Sequence, residues 1–573
     1  MNMAEEIHNN KSKEIFWKDI SRLGIGIVLI IAANILASNY FVRWDLTEEN
    51  RYSLTDATKN LMRELDSVVE IKVYLAGDLP SGFRRLQRST EEMLEELKVY
   101  AGSNIQYTFI DPLTAVSKEE RQGFFRYLAE NGIQQTNVFD TEEGKRIQKA
   151  LFPGAMLEYV NQEKGIMLLT GDRTAGSEET LNQSIERLEY ELATAIRQLS
   201  ITEKKRVGII RGHGELPDVD IAGLTAVLSE YYNVFEVNLP EKNSLEGYDA
   251  ILICKPTTSF TEQDKYKIDQ FIMKGGKALF FIEKLKISMD SLQSGTGGTI
   301  ALPYDLNLED QLFRYGVRIN NDFIQDIQCA EYPVVVGNMG NQPQIAPLPW
   351  PFFPLVNKYT DHPVVKNLDA TYLRFVSSMD TVKAEGITKT PLIFTSPYTR
   401  KVTNPVLVDI DELRQPPNPD FFKGGSFPVS YLLEGSFTSV FKNRLLPTGA
   451  VQAGYQEQGI PSKILVCSDG DLIRNETNPQ NGNPYPLGYE PFSAQTYANK
   501  DFIVNVMAYM TDENGIINAR AKEIKIRPLD PVKVESERWQ WQAVNLILPL
   551  IIIILYGSVR YYLRKQKYAR KIM

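Results

Sequence analysis

Arg211-Gly212-His213-Gly214-Glu215 holds the residues whose types and spacing are best suited to chemistry. Two glycines let a backbone turn tightly and approach a ligand, and His213 and Glu215 are side chains that exchange protons. The plainer reading is a strand-to-helix turn whose His and Glu cap the next element. Ligand or partner binding stands between those two. Asp469 and Asp471, in Ser468-Asp469-Gly470-Asp471, are a second candidate, a cation site at a sheet edge. Two carboxylates fall short of the six to eight oxygens calcium takes, so capping is the simpler role. Trp350-Pro351-Phe352-Phe353 offers Trp350 and Phe352 either as a docking surface or as a plug over a core, and both stand.

Other possibilities fall away on residue type. Ser294 to Thr299 is glycine-rich but lacks the Lys of a phosphate loop, which leaves a flexible loop. Cys254, Cys329 and Cys467 are too few and too scattered for a disulfide framework, and Cys254 and Cys467 end apolar runs like buried small hydrophobes. His8, His213 and His362 have no metal-ligand spacing, so neither metal nor other cofactor is expected. Glutaminase-like chemistry needs a Cys on a sharp turn, yet Cys254 runs into Lys255-Pro256 with no small residues around it.

The elements that must position these residues alternate. Arg206 to Ile210 is an apolar strand, followed by a helix over Ile221 to Tyr231 and strands over Val234 to Asn238 and Ala250 to Cys254. A helix over Glu262 to Lys274 and a strand over Ala278 to Ile282 continue the pattern. Lys463 to Cys467 reads as a later strand, with Asp501 to Met510 as its covering helix. Such alternation predicts a parallel sheet covered on both faces, with ligands at the carboxyl ends of its strands. Gly212 to Glu215 falls there. Residues 284–460, rich in Gly and Pro, read as a long insertion with a β-rich subdomain.

Upstream, Ser53 with Asp56 resembles a capping box opening a helix over Leu54 to Leu65. Strands are expected over Val68 to Ala76, Ile105 to Asp111, Gln135 to Phe139, Ala155 to Val160 and Ile166 to Leu169. Helices are expected over Phe83 to Ala101, Lys118 to Glu130 and Glu178 to Leu199. This order is thioredoxin-like, but the half contains no cysteine, so a structural or binding module is expected rather than redox chemistry.

Two charge-free runs bracket all of this. Leu23 to Val42 and Trp539 to Val559 each have the length of a membrane-crossing helix, with Pro549 near the middle of the second. The tail from Arg560 to Met573 carries six basic residues and no acid, which places it in the cytoplasm. Both ends are then inside and the bulk outside. Net charge is −9 over the 573 residues, and the basic tail makes the remainder more acidic still. Nucleic acid and anionic surfaces are therefore poor ligands for the bulk.

An ordered set of short motifs is more specific than any one of them. Arg43-x-Asp45-Leu46-Thr47, Arg51 to Leu54, Arg211 to Glu215, Asp361 to Leu368 and Leu433 to Phe437 come first. Ser468 to Asp471, Pro486 to Tyr489, Asn499 to Phe502 and Ile526 to Asp530 follow. The set resembles the auxiliary component, labelled substrate-binding, of the gliding-motility ABC transport system. The resemblance implies an α/β inner-membrane protein with two transmembrane helices flanking a periplasmic ectodomain, working with a separate permease subunit and a separate cytoplasmic ATPase subunit. No catalytic residues transfer. The expected plan is a cytoplasmic tail over 1–22, a span over 23–42 and a thioredoxin-like domain over 43–203. A glutaminase/flavodoxin-like parallel-sheet domain over 204–530 follows, then a linker over 531–538, a span over 539–559 and a tail over 560–573. The expected function is that of a non-catalytic accessory subunit contacting a periplasmic protein or glycan. The alternative is a membrane-tethered periplasmic hydrolase or amidotransferase using His213 and Glu215.

Overall fold

The computed structural model describes residues 53–569 apart from 143–144, 171–175, 202, 290–291, 293–297, 340–341, 367, 449–453, 513–514 and 522–530. Before residue 53 it describes only 17, 20–21, 23–32 and 34. The motif at Arg43 to Arg51, most of the glycine-rich Ser294 to Thr299 and the motif at Ile526 to Asp530 lie outside the described residues.

The first unit opens with α1 (Asp56–Arg63), β1 (Val69–Val73), α2 (Ser81–Ala101), β2 (Ile105–Phe109) and α3 (Arg121–Glu130). β3 (Thr136–Glu142), β4 (Lys145–Leu151), β5 (Gly154–Tyr159), β6 (Gln162–Met167) and α4 (Ser177–Ser200) complete it. Val69, Ile71 and Val73 point into the core while Glu70 faces solvent, the period-2 signature of a strand with one buried face. The sheet runs β2-β1-β5-β6, parallel between β1 and β2 and antiparallel elsewhere. Leu181, Leu188, Leu192 and Ile196 of α4 cover it, at the 3.6-residue spacing of one helix face.

Two expectations need correction here. β3 pairs only with β4, as a separate hairpin outside the four-stranded sheet, and the charged Lys145–Leu151 gave no apolar run by which to foresee it. Thr55, not Ser53, caps α1, its side chain accepting the Thr58 N–H.

The second unit is built on an eight-stranded sheet. Its first strands are β7 (Arg206–Arg211), β8 (Asn233–Asn238), β9 (Ala250–Cys254) and β10 (Lys277–Phe281), with helices α5 (Ala222–Tyr231) and α6 (Glu262–Met273) between them. β11 (Cys329–Met339) and β12 (Gln342–Val356) form a long hairpin. β13 (Lys358–Tyr359), β14 (Ile387–Phe394), β15 (Pro428–Thr438), β16 (Gln458–Cys467) and α7 (Asn499–Thr511) follow. The strand order is β13-β14-β15-β16-β10-β9-β7-β8, parallel from β16 to β8 and antiparallel from β13 to β16.

Side chains along the parallel strands alternate between two cores. Leu252, Leu279 and Leu465 meet α5 and α7 on one face, and Ile253, Phe280 and Val466 meet α6 on the other. Burial on both faces is why these strands read as unbroken apolar runs. Residues 284–460 are only partly an insertion. Their β13, β14 and β15 extend the main sheet, while the β11–β12 hairpin has its own aromatic core.

After the second unit comes α8 (Pro531–Ala569), a single helix of 39 residues. Its apolar stretch Glu537–Gln566 is the only helix among the described residues long enough and apolar enough to cross a membrane, and none of it is buried. The expectation of two flanking spans is therefore met once, not twice. At the N-terminal run the described helix is only Leu23–Ala32, and the rest of that call lies outside the described residues.

Candidate functional site

β7 delivers its chain into a turn that only glycine can make. Gly212 and Gly214 sit at φ of 112° and 68°, and a Cβ on Gly212 would lie 2.5 Å from Cδ of Pro240. The His213 carbonyl accepts the N–H groups of Thr257 at 2.9 Å and Thr258 at 3.0 Å, which ties the turn to the loop after β9. The imidazole stacks on Phe260 with ring centres 3.7 Å apart. Its Nδ1 is 3.4 Å from Oε1 of Glu215, and its Nε2 is 3.3 Å from Oδ2 of Asp264 in the first turn of α6.

Asp264 also accepts from Lys267 at 2.8 Å and Thr261 at 2.7 Å. Burial pushes its carboxyl up, but these two donors outweigh that and hold it below the ordinary carboxylate range. His213 is 2% exposed. The Nε2 edge meets Asp264, the Nδ1 edge faces Glu215 without completing a hydrogen bond, and the arrangement clamps β7, the β9 loop and α6 together. Burial also pushes the Cys254 thiol up to about 12, which removes it as a nucleophile.

A second charged cluster lies along the same carboxyl edge. Lys255 follows β9, Glu283 follows β10, and Asp469 and Asp471 follow β16. Because β10 lies between β9 and β16, three separate strand ends converge. Lys255 Nζ is 2.6 Å from Asp471 Oδ2 and 3.6 Å from Glu283 Oε2. Its backbone sits at φ 53°, a strained region for a long side chain that persists only where surroundings over-determine it. The stem lies over Gly470, where a Cβ would come within 2.6 Å of Lys255 Cγ.

Asp469 does cap the turn, accepting from the N–H groups of Asp471 at 2.7 Å and Leu472 at 3.1 Å, and from that of Arg374 at 2.8 Å. Arg374 pairs with Glu476, and Arg474 lies 3.1 Å from Asp220 and 3.8 Å from Asp471.

The electrostatics of this cluster are uneven. Burial, reinforced by Asp471, pushes Asp469 up to about 7. Burial raises Glu283 well above the usual range. Asp471 is pushed up by burial but pulled lower still by Lys255 and Arg374. Lys255 would be depressed by burial, yet Asp471 and Glu283 raise it on balance. The pair Asp469 and Asp471 was readable in the sequence. Lys255, Glu283 and Arg374 were not singled out, although Lys255 and Glu283 stand one and two residues past apolar strands, where the carboxyl-edge rule points.

Comparison with known proteins decides the broad assignment. Residues 204–506, more than half of the chain, match the family described as an ABC-type uncharacterized transport system. The chain belongs to this family. Residues 48–158 match a domain of unknown function. An uncharacterized protein of Borreliella burgdorferi is 21% identical over 556 residues, covering 95% of this chain and 97% of that protein. Among solved structures, the mmIFT52 N-terminal domain is 11% identical, with a TM-score of 0.30 over 53% of this chain and 97% of that one.

In this ABC-transport auxiliary protein the remaining candidates divide. Trp350 and Phe352 are each 2% exposed and pack around Phe375 with ring centres 5.7 and 6.0 Å away. They are the plug over a core, not a docking surface. Between the two units lies a polar cleft of about 1020 Å³ bordered by Lys164, Arg187, Glu230, Lys500 and Asp501. Nothing in the sequence marked it, since its walls come from residues 130–198, 230–231, 369 and 496–505, which only folding brings together.

Proposed function

We propose that the protein is the membrane-anchored, non-catalytic accessory subunit of an ABC transport system associated with gliding motility. The observation that carries this reading is α8. Thirty residues, Glu537–Gln566, form an apolar helix that the α/β body leaves wholly uncovered. At 1.5 Å per residue that is about 45 Å, enough for a bilayer core and its margins. Lipid and a neighbouring permease are the covers that suit it.

The basic residues after Val559 support a cytoplasmic location for that end and a periplasmic one for the α/β body of an inner-membrane protein. The body reads as a thioredoxin-like unit over 43–203, supported by the β2-β1-β5-β6 sheet closed by α4, and a flavodoxin-like unit over 204–530. ATP hydrolysis belongs to a separate cytoplasmic subunit, since the sequence has no nucleotide motif. Cargo, a periplasmic protein or glycan, meets the polar cleft between the units, while the clamp at Gly212 to Glu215 serves by holding its own sheet edge rigid.

The test is purification of the intact protein from its own membranes in mild detergent. A permease and an ATPase should co-purify, and both should be lost when residues 537–566 are replaced by an unrelated membrane-spanning helix. A protein that runs alone and monomeric, without a permease, overturns the reading.

A further inference from the structure

The acidic pair after β16 gains a third carboxylate that the chain brings from elsewhere. One ligand atom each from Glu283, Asp469 and Asp471 lies within 4.8 Å of the others. Glu283 is the independent observation. It is fully buried, it arrives from β10 rather than from the Ser468 to Asp471 turn, and neither of its oxygens completes a hydrogen bond. Oδ1 of Asp471 is likewise without a hydrogen-bond partner. Lys255 Nζ stands 3.6 Å from Oε2, beyond a hydrogen bond, and a buried carboxylate left so is costly unless something occupies the space its oxygens face.

The formal charge count gives the sign of what suits that space. Asp220, Glu283, Asp469, Asp471 and Glu476 share the edge with only Lys255, Arg374 and Arg474, leaving the carboxylates in excess by two. A single divalent cation is one way to close that gap, as are protons on two of the carboxyls.

We propose that Glu283, Asp469 and Asp471 bind one divalent metal cation, Ca²⁺ in preference to Mg²⁺, at the carboxyl ends of β10 and β16. The objection that two carboxylates supply too few oxygens is eased by the third, which leaves both oxygens of Glu283, Oδ1 of Asp471 and Oδ2 of Asp469 to serve as ligands, with water to complete the shell. Ligand type favours the larger ion. Mg²⁺ dehydrates reluctantly and usually keeps several waters beside one or two carboxylates, whereas Ca²⁺ takes many protein oxygens in flexible geometry. Three carboxylates whose ligand atoms lie within 4.8 Å of one another suit the second arrangement.

The N–H donors of Asp471 and Leu472 take both lone pairs of Asp469 Oδ1, and that of Arg374 takes one on Oδ2, which holds the carboxylate in place and leaves a lone pair on Oδ2 for a ligand. Lys255 is the built-in competitor. Its ammonium reaches Asp471 and Glu283 from the β9 side, so the cation displaces it from Glu283 on binding. A cation held here fastens the ends of β10 and β16 into one rigid edge.

The experiment is calorimetric titration of the full-length protein, stripped with chelator and held in detergent, with CaCl₂ and separately with MgCl₂. One Ca²⁺ per chain is expected, with Mg²⁺ weaker. Glu283→Gln keeps the side-chain volume and should weaken Ca²⁺ binding at least tenfold, and Asp471→Asn serves as the second variant should the first not fold. Asp420→Asn, on an exposed carboxylate away from the cluster, should leave binding as it was. No Ca²⁺ uptake up to about 1 mM, the weak end of protein calcium sites, overturns the proposal. So does binding that Glu283→Gln leaves untouched, which would mark surface ions only. Tighter binding of Mg²⁺ than of Ca²⁺ overturns the stated preference.

Discussion

Two charged clusters sit on one sheet edge and are built to opposite ends. Around His213, both ring nitrogens face carboxylates, Asp264 has Lys267 and Thr261 as further donors, and Phe260 closes the ring face. Around Lys255, one ammonium serves two acids, and Glu283 and Asp471 keep oxygens that nothing satisfies. Position at the carboxyl ends of parallel strands is shared, so position alone does not make a site. What separates the two is where the leftover bonding capacity points. In the cluster containing the residue type most associated with catalysis, the two atoms without hydrogen bonds, His213 Nδ1 and Glu215 Oε1, face each other at 3.4 Å, whereas the one made of lysine and carboxylates leaves both oxygens of Glu283 and one of Asp471 without hydrogen bonds.

The largest effect that would break this comparison is at Lys255. In chelator, Lys255→Met removes the cation nearest to Asp471 and Glu283 and leaves buried carboxylates facing one another. Loss of one partner from a buried ion pair costs about 3–5 kcal/mol, and urea unfolding should register a fall of that order. Millimolar Ca²⁺ should restore a measurable part of it. A change under 1 kcal/mol would mean the ammonium is incidental to the edge. His213→Ala comes next. It deletes the ring stacked on Phe260 and leaves Glu215 and Asp264 without the group between them, at a cost of about 2–3 kcal/mol. Here Ca²⁺ should restore nothing. Rescue at one variant and not the other is the sharpest separation of the two clusters.

Legibility of these clusters followed the same division. Val207 to Ile210, Ala250 to Cys254, Ala278 to Phe281 and Ile464 to Cys467 are apolar on both faces, so the parallel strands could be read directly and their order of appearance implied a sheet. Gly212 and Gly214 announced a turn. Glu283 was invisible because one acid after an apolar run looks like any strand end, and only the placement of β10 between β9 and β16 gives it neighbours. β14 and β15 were lost inside the Gly- and Pro-rich stretch for a similar reason. Pro391 and Pro428 lie within strands of a sheet, where local propensity argues against them and tertiary pairing prevails. Trp350 and Phe352 could be read as aromatic but not as inward, since Pro at 347, 349, 351 and 354 hides the strand alternation that would have assigned a face.

Acid should then distinguish the clusters more gently. Asp264 is held below its ordinary value of 3.8, so the stability it contributes is present above that value and is lost as pH falls through its folded-state value. Below pH 4 the unfolded chain takes up the proton more readily than the folded one. Asp264→Asn should flatten that acid limb in unfolding midpoints followed from pH 5 to pH 3. An unchanged limb would show that His213 and Lys267 do not depend on that carboxylate.

The smallest effect is expected at the rim of the His213 turn. Arg211, the last residue of β7, pairs with Asp218, whose side chain is 79% exposed. The same guanidinium also donates to the carbonyl of Leu216 and reaches Glu236 at 3.2 Å. Removing one exposed acid from a cation with two other acceptors leaves nothing buried and unpaired, so Asp218→Ala should shift stability by no more than about 0.5 kcal/mol. It should also lose what little effect it has in high salt, because exposed pairs are screened. Were Asp218→Ala to cost as much as His213→Ala, the turn would be held from its rim rather than by its buried ring. The contrast between the two clusters would then have to be redrawn around Arg211.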